Sequence, residues 1–400
     1  MDTETQKILS EKPNNKIEKE FQEEKKDKIF ERIIIFKKYL FVIVPLLFFF
    51  TLIYLLIGNK TLNNDISGTN NNNTYSNMNT KQTLNIFEEF HSNLFDDNVL
   101  LKYRQKQNEF CYYIEHFLRE EYENNLLLTN VSLLSQFFPM YVYKNNDIIS
   151  TEIIQSENWE GDDTNNLLSA LLFYTIINRL KREDVFVLDI GSNIGWYSLF
   201  IGKYGYSILA FEPSELNHYI LMKNYCLNQE LNVTFIKKGL YSEEKNCDFY
   251  INEENVGDGW VFCDNNNNNK LNYLKKTGEV LLTKLSNYES FLMNHNLAMI
   301  RIDAQGMEGK AIEGGIRLIN KYRVPFIFLK FRPESLILHG TDPRHFLKLF
   351  LKNGYKIGRY NFFIEDYLSI EEVMKKAKGS MNLYLVHSRL IKKYKYFQFS

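Results

Sequence analysis

A chain of 400 residues that is 44% hydrophobic and 24% charged has the make-up of a folded protein, which excludes a wholly disordered or fibrous one. Its 48 Lys+Arg and 49 Asp+Glu leave a net charge of −1, so no overall basic field points to nucleic acid as a partner. With 31 Phe and 26 Tyr against 7 Pro, the composition suits a large aromatic core in one or two domains.

Residues 1–38 form a charged tail, expected to be cytosolic. Residues 39–58 then read YLFVIVPLLFFFTLIYLLIG without a charge. A helix of that length, at about 1.5 Å per residue, spans about 30 Å of hydrocarbon, which predicts a single transmembrane helix in the lipid bilayer. A signal peptide is the poorer reading, because its apolar part usually runs only ~7–15 residues and no small-residue cleavage site follows Gly58. Lys25, Lys26, Lys28, Arg32, Lys37 and Lys38 precede the stretch, whereas Lys60 alone follows it closely. Positive flanks stay cytosolic, so the expected topology is a signal-anchor with the C-terminal body lumenal (Golgi or endoplasmic reticulum) or extracellular. Sequons at Asn72, Asn130 and Asn232 suit a glycoprotein on that side. So do Cys111, Cys226, Cys247 and Cys263, all beyond the span. Four cysteines allow three full pairings; Cys247 with Cys263, flanking an expected hairpin, is the first candidate.

Residues 59–83, rich in Asn, Thr and Ser, cannot bury a core and are expected to be a flexible stem. Over 84–136 apolar residues recur at spacings of three and four (Phe87, Phe90, Leu94; Phe110, Tyr113, Ile114, Phe117), which predicts a helical segment packing on the domain behind it. The run Asn265 to Asn269 reads as a loop insertion. From Asp184 short apolar runs alternate with helical patterns. The expected strands are Val185–Ile190, Ser207–Phe211, Asn232–Lys237, Met299–Asp303, Val324–Phe331, Tyr355–Arg359 and Leu383–His387. They predict an α/β fold: a Rossmann-like, largely parallel sheet of seven strands with helices on both faces over 137–390, followed by a tail at 391–400. Asp248–Ile251, Gly259–Cys263 and Glu279–Thr283 are expected to form an extra hairpin or flap.

The segment VFVLDIGSNIGWYSLF (Val185–Phe200) is an apolar strand ending in Asp189, a turn with Gly191 and Gly195, and a helix. Glycines there let the backbone approach a ligand at a helix N-terminus, and the carboxylate can accept hydrogen bonds from a cofactor. The spacing G-x-x-x-G departs from the dinucleotide fingerprint G-x-G-x-x-G and lacks the G-K-[ST] ending of a P-loop. NAD and ATP readings both lose ground. Glu212 ends the next strand, where an acidic side chain can grip both ribose hydroxyls. Asp189 and Glu212 around this turn signal S-adenosylmethionine, against the plainer reading of a Gly-rich turn and a solvated Glu.

DIGSNIGWYSLF (Asp189–Phe200), AFEPS (Ala210–Ser214), RIDAQGMEGKAIEGG (Arg301–Gly315) and GTDPRHFLKLFLKNGYKI (Gly340–Ile357) resemble the FkbM-type methyltransferases. The resemblance extends back to Met140–Tyr143 and Glu157–Gly161 and forward to about Ser388. It implies a Rossmann-like, S-adenosylmethionine-dependent methyltransferase, often acting on hydroxyls of sugars, glycolipids or secondary metabolites. By position, Asp189, Gly191, Asn193 and Gly195 would line the cofactor loop, Glu212 would hold the ribose, and Asp303 with Glu308 would face the reacting centre. One departure is Lys330, in FIFLKFRP, where the family commonly has an acid before Phe. It would abolish activity, redirect the substrate's charge, or be a neutral replacement.

Methyl transfer from a sulfonium is an in-line displacement, and a hydroxyl acceptor also needs a base. Asp303, at the carboxyl end of the expected fourth strand, is the first candidate for acceptor positioning or base; capping the turn DAQG is its plainer role. Glu308 reads as a direct participant or the acidic start of a helix. His339 and His345 are base candidates or surface histidines. His218, Trp196 and Tyr197 read as structural. Asp303 lacks a convincing partner for a metal site, so none is expected. The function expected is O-methylation of a carbohydrate, glycolipid or other hydroxyl acceptor. The alternative is a catalytically impaired, membrane-anchored binding module. A glycosyltransferase would share this layout, but the portion beyond residue 58 has no Asp-x-Asp triplet.

Overall fold

The computed structural model describes residues 105–112, 123–134, 136–263, 273–292, 295–363 and 365–391. The charged tail, the apolar stretch, the stem and residues 392–400 lie outside these, as does the run Asn265 to Asn269. Among the described residues no helix is long and apolar enough to cross a membrane. The segment expected to be helical, 84–136, turns out to be mixed. Residues 105–112 are helical, but β1 (Leu126–Leu133) is a strand, paired in a hairpin with β2 (Gln136–Tyr143). In LLLTNVSL only alternate positions near its end are buried, a period of two that suits a strand and that the aromatic spacing upstream concealed.

Two helices follow, α1 (Ile148–Ser156) and α2 (Gly161–Ile177). The main sheet begins with β3 (Val185–Ile190), α3 (Trp196–Lys203), β4 (Ser207–Phe211), α4 (Glu215–Cys226) and β5 (Val233–Ile236). A second sheet interrupts it: β6 (Gly239–Leu240), β7 (Lys245–Asn252), β8 (Asn255–Phe262) and β9 (Leu274–Thr283), in the order β6-β9-β7-β8. The chain returns through β10 (Asn296–Ile302), α5 (Glu308–Glu313), α6 (Ile316–Tyr322), β11 (Phe326–Phe331), α7 (Pro333–Leu338), α8 (Pro343–Lys352), β12 (Tyr355–Gly358), α9 (Ile370–Lys376) and β13 (Met381–His387). All seven expected strands are present, in the order β12-β13-β11-β10-β3-β4-β5. They run parallel except β13, which is antiparallel to both its neighbours.

Both faces of this sheet are dry. Val185 and Val187 of β3 pack with Leu167, Leu171, Phe200 and Ile220 from α2, α3 and α4, whereas Phe186, Leu188 and Ile190 pack with Ile319, Phe346 and Val373 from α6, α8 and α9. Alternate residues of one apolar run therefore feed two cores, as a strand buried on both faces requires.

The sheet edge at β5 is closed by a side chain. Gln107 donates to the Val233 carbonyl at 3.1 Å and accepts from the Phe235 amide at 2.8 Å, as a neighbouring strand would. Disulfides join Cys111 to Cys226 and Cys247 to Cys263. The first ties the helical segment 105–112 to the end of α4, and the second joins β7 to the residue after β8. Replacing Gln107 by Leu leaves a buried amide and carbonyl unpaired and is expected to cost about 1–3 kcal/mol in urea unfolding; an unchanged midpoint would refute this closure.

Candidate active site at the carboxyl edge of the sheet

From β3 the chain moves to β4 on one side, and later places β10 on the other. The crevice beyond the carboxyl ends of β3 and β10 is thus the topological switch point where open α/β sheets bind ligands. A cavity of about 340 Å³ lies there, walled by the ends of β3, β4, β10 and β11 and, from above, by β8. That volume falls in the range of small-molecule sites.

The turn after β3 takes its shape from backbone constraints. Gly191 has φ +81°, and a Cβ on it would lie 1.9 Å from the Asp303 carbonyl oxygen. Asn193 is also left-handed at φ 53°; its side chain accepts from its neighbour's amide, at Ile194, and donates to the Gly257 carbonyl of β8. Gly195, at φ +96°, begins α3. Glu212, the residue after β4, lines the cavity and accepts from the Asn193 amide at 2.8 Å and the Ser214 amide at 2.9 Å. Burial first, partly offset by these amides, raises its pKa to about 7. No described cation forms a salt bridge with it. A buried acid with amide donors and no counter-ion, beside a glycine turn, fits a ligand offering a vicinal diol such as ribose.

Asp189 is placed differently from a cofactor ligand. It is fully buried, accepts from Ser198 Oγ at 2.6 Å and Arg301 Nη1 at 3.1 Å, and does not line the cavity. Arg301 sits opposite it in strand register and also reaches the Gly191 carbonyl at 2.6 Å and Asp303 Oδ2 at 3.2 Å, with its guanidinium over the Tyr197 ring. Arg332 completes the row, donating to Asp303 Oδ1 at 2.8 Å. Burial alone would raise the Asp303 pKa, but Arg332, Arg301 and Lys330 together outweigh it and bring it down to about 2. Asp303 lines the cavity as a fixed anion, suited to positioning and poorly suited to taking a proton.

The remaining candidates lie elsewhere. Glu308 is buried at the start of α5, accepts from the Ala304 amide at 2.9 Å and does not line the cavity. It closes the turn after β10. Both His339 ring nitrogens face carbonyls, of Ser335 at 2.9 Å and Val261 at 3.0 Å, so the ring staples α7 to β8; burial lowers its pKa. His345 is exposed on α8, its amide bonded to Asp342. Among the described residues no histidine lines the cavity. Trp196 is buried and donates to Thr164. Among the described residues, no three His, Cys, Asp or Glu gather as a metal-ion site.

Lys330 lines the cavity and donates to Glu160 Oε1 at 2.6 Å; the other Glu160 oxygen accepts from Tyr197 at 2.7 Å. An acid is thus present beside this position, delivered from the N-terminus of α2. Sequence reasoning did not find Arg301, Arg332, Glu160, Asn217 or Asp258. A lone arginine inside the apolar run AMIRI was a readable sign, because a cation in a buried strand needs an acid beside it. The others depend on which segments meet.

Residues 189–357, which include the ends of β3, β4, β10 and β11 around the cavity, match the family model of the methyltransferase FkbM domain. No curated protein matches the chain. Among solved structures, monomeric WbdD is similar at 10% identity and TM-score 0.36 over 68% of this chain and 48% of WbdD, so the chain spans about half of that protein. A SAM-dependent methyltransferase from Agrobacterium tumefaciens gives 9% identity and TM-score 0.30 over 65% of this chain and 70% of that one. M. jannaschii TYW2, in complex with AdoMet, gives 12% and 0.28 over 64% and 84%.

Two outcomes follow from these charges. Arg301→Met strands the buried Asp189 carboxylate, leaves Asp303 to Arg332, and is expected to destabilise the fold by about 3–5 kcal/mol, with the double variant Asp189→Leu/Arg301→Met recovering part of it, as read by urea unfolding. Equal loss in both variants would count against the pairing. Glu212 holds its proton more tightly folded (about 7) than at its ordinary value of 4.5. Its contribution to stability is therefore complete below about pH 4.5 and lost as pH rises through about 7. A Glu212→Gln variant should lack that decline; an identical pH profile would refute it.

Proposed function

We propose that the chain is an S-adenosylmethionine-dependent methyltransferase that methylates a hydroxyl oxygen, with a carbohydrate or glycolipid as acceptor. The observation that carries this reading is Glu212 at the cavity wall, a buried acid beside the Gly191 turn with no counter-ion, in a stretch that matches the FkbM domain. S-adenosylmethionine supplies an electrophilic methyl group. Glu212 would hold the ribose hydroxyls, the 191–195 turn would lie along the cofactor, and Arg332 with Asp303 would orient the acceptor. Trp159 and Trp260, both lining the cavity, offer apolar faces that help exclude water.

Anchored by residues 39–58, the domain would act from the lumenal or extracellular side of a secretory membrane. The cation asymmetry around that stretch supports this, as does Asn130, which is exposed on β1. Asn232 is a poor glycan site because its amide is engaged with Ser207. In sealed microsomes the domain should resist protease until detergent is added, and Asn130→Gln should reduce the endoglycosidase-sensitive mass shift by one glycan, leaving any glycan on Asn72. Digestion without detergent would overturn this topology.

The second reading, a binding module without catalysis, rests on Lys330, held by Glu160 where the family commonly has an acid. Calorimetry with full-length protein in detergent is expected to give micromolar S-adenosylmethionine affinity, weakened at least about tenfold in Glu212→Gln, the effect of roughly 1.4 kcal/mol. A folded protein that binds no S-adenosylmethionine would exclude the methyltransferase.

A further inference from the structure

A hydroxyl becomes a good nucleophile when a base takes its proton, and that base must line the cavity. The carboxylates that do so are Asp147, Glu212, Asp258 and Asp303. Three are committed. Asp147 caps α1, accepting from the Ser150 amide at 2.7 Å, and also takes the Gly257 amide. Glu212 is bound to the turn that would meet the cofactor. Asp303 is clamped by Arg301 and Arg332. Lys330, in its ion pair with Glu160, is a donor.

Asp258 is different. It lies on β8, and among the described residues the one side chain that donates to it is Trp260, whose indole reaches Oδ2 at 3.3 Å. The residue before it is held to the cofactor side of the crevice: the Gly257 carbonyl accepts from Asn193 at 3.0 Å and Asn217 at 3.1 Å. Asn217 in turn accepts from the Tyr143 hydroxyl at 2.6 Å. Asp258 is thereby fixed between the 191–195 turn and the Arg332–Asp303 pair of the opposite wall. Burial raises its pKa; Arg332 and the Trp260 indole oppose this, while Asp303 and Asp147 add to it.

We infer that Asp258 is the catalytic base, a carboxylate hung from the β7–β8 flap that accepts the acceptor's hydroxyl proton as the methyl group is transferred; this rests on the methyltransferase reading above. The O–H bond breaks and its proton passes to Asp258, while the oxygen electron pair forms the new O–CH3 bond. The carbon–sulfur bond of the sulfonium donor breaks, and its electron pair stays on sulfur as a neutral thioether. The flap's attachments then have a catalytic purpose: the Cys247–Cys263 disulfide, the His339 staple and the two asparagines hold the base in place.

The test needs no acceptor. Full-length protein in detergent, labelled with 13C at the aspartate carboxyl carbon, is titrated by NMR. The Asp258 resonance is assigned by its loss in both Asp258→Asn and Asp258→Glu, so that one misfolded variant does not block assignment. Its midpoint should lie above the ordinary aspartate value, because burial outweighs Arg332 and the Trp260 indole. A sulfonium at the reacting centre should lower that midpoint by about one pH unit, whereas S-adenosylhomocysteine, neutral at sulfur, should leave it in place. Calorimetry on the same samples separates the two ideas. If S-adenosylmethionine does not bind the folded wild type, the methyltransferase reading falls, and Asp258's role with it. If it binds and shifts the Asp258 midpoint no more than S-adenosylhomocysteine does, the reading stands and Asp258 is not the base.

Discussion

Arg301 is 5% exposed in the middle of the central sheet, and a cation so placed is tolerable only if acids surround it. Asp189 meets it from the neighbouring strand and Asp303 from the residue just past its own. The Gly191 carbonyl takes a third bond, so the same guanidinium fixes the turn at the cavity mouth. Strand register, turn conformation and the charge at the reacting centre are therefore one constraint. The side chain lacking at Gly191 belongs to it, since the Asp303 carbonyl occupies the space a Cβ would need.

Against this rigid floor the second sheet supplies a roof of different origin. It enters between β5 and β10 as an insertion and packs Phe249, Val261 and Leu282 with Met307 of the floor, while polar contacts fix its position: Gly257 to Asn193 and Asn217, and Val261 to His339. The cavity is thus a seam between a parallel sheet that sets the fold and a flap that sets what faces the ligand. Lys330 belongs to the seam as well. Its partner Glu160 comes from the segment before β3, so the rim's charge is shared between parts of the chain 170 residues apart.

The strands were legible in the sequence because a strand buried on both faces must be a short apolar run, and runs such as VFVLDI and SILAF leave little choice. The 191–195 turn was legible because glycine marks backbone that other residues avoid. The helical expectation for 84–136 failed at Leu126–Leu133, where pairing with β2 outweighed a loose spacing of apolar residues upstream. At the site, residue type misled. Asp189, Glu308 and His339 are chemically able side chains, yet each is turned to a structural partner, and nothing in their local sequence distinguishes that use from catalysis.

Sequence by itself determined the order and type of the sheet's elements, the glycine turn, and the apolar and cation pattern of the first 60 residues, because these depend on properties each segment carries alone. Only the tertiary structure decided which carboxylates face the cavity and in what electrostatic state. Asp303 is held near pKa 2 by cations, two of them from β11 and its end, Glu212 rises to about 7 through burial, and Asp258 reaches the crevice on an inserted flap. The physical reason is that a side chain's charge state is set by neighbours distant in sequence, and those neighbours are known only once the segments have packed.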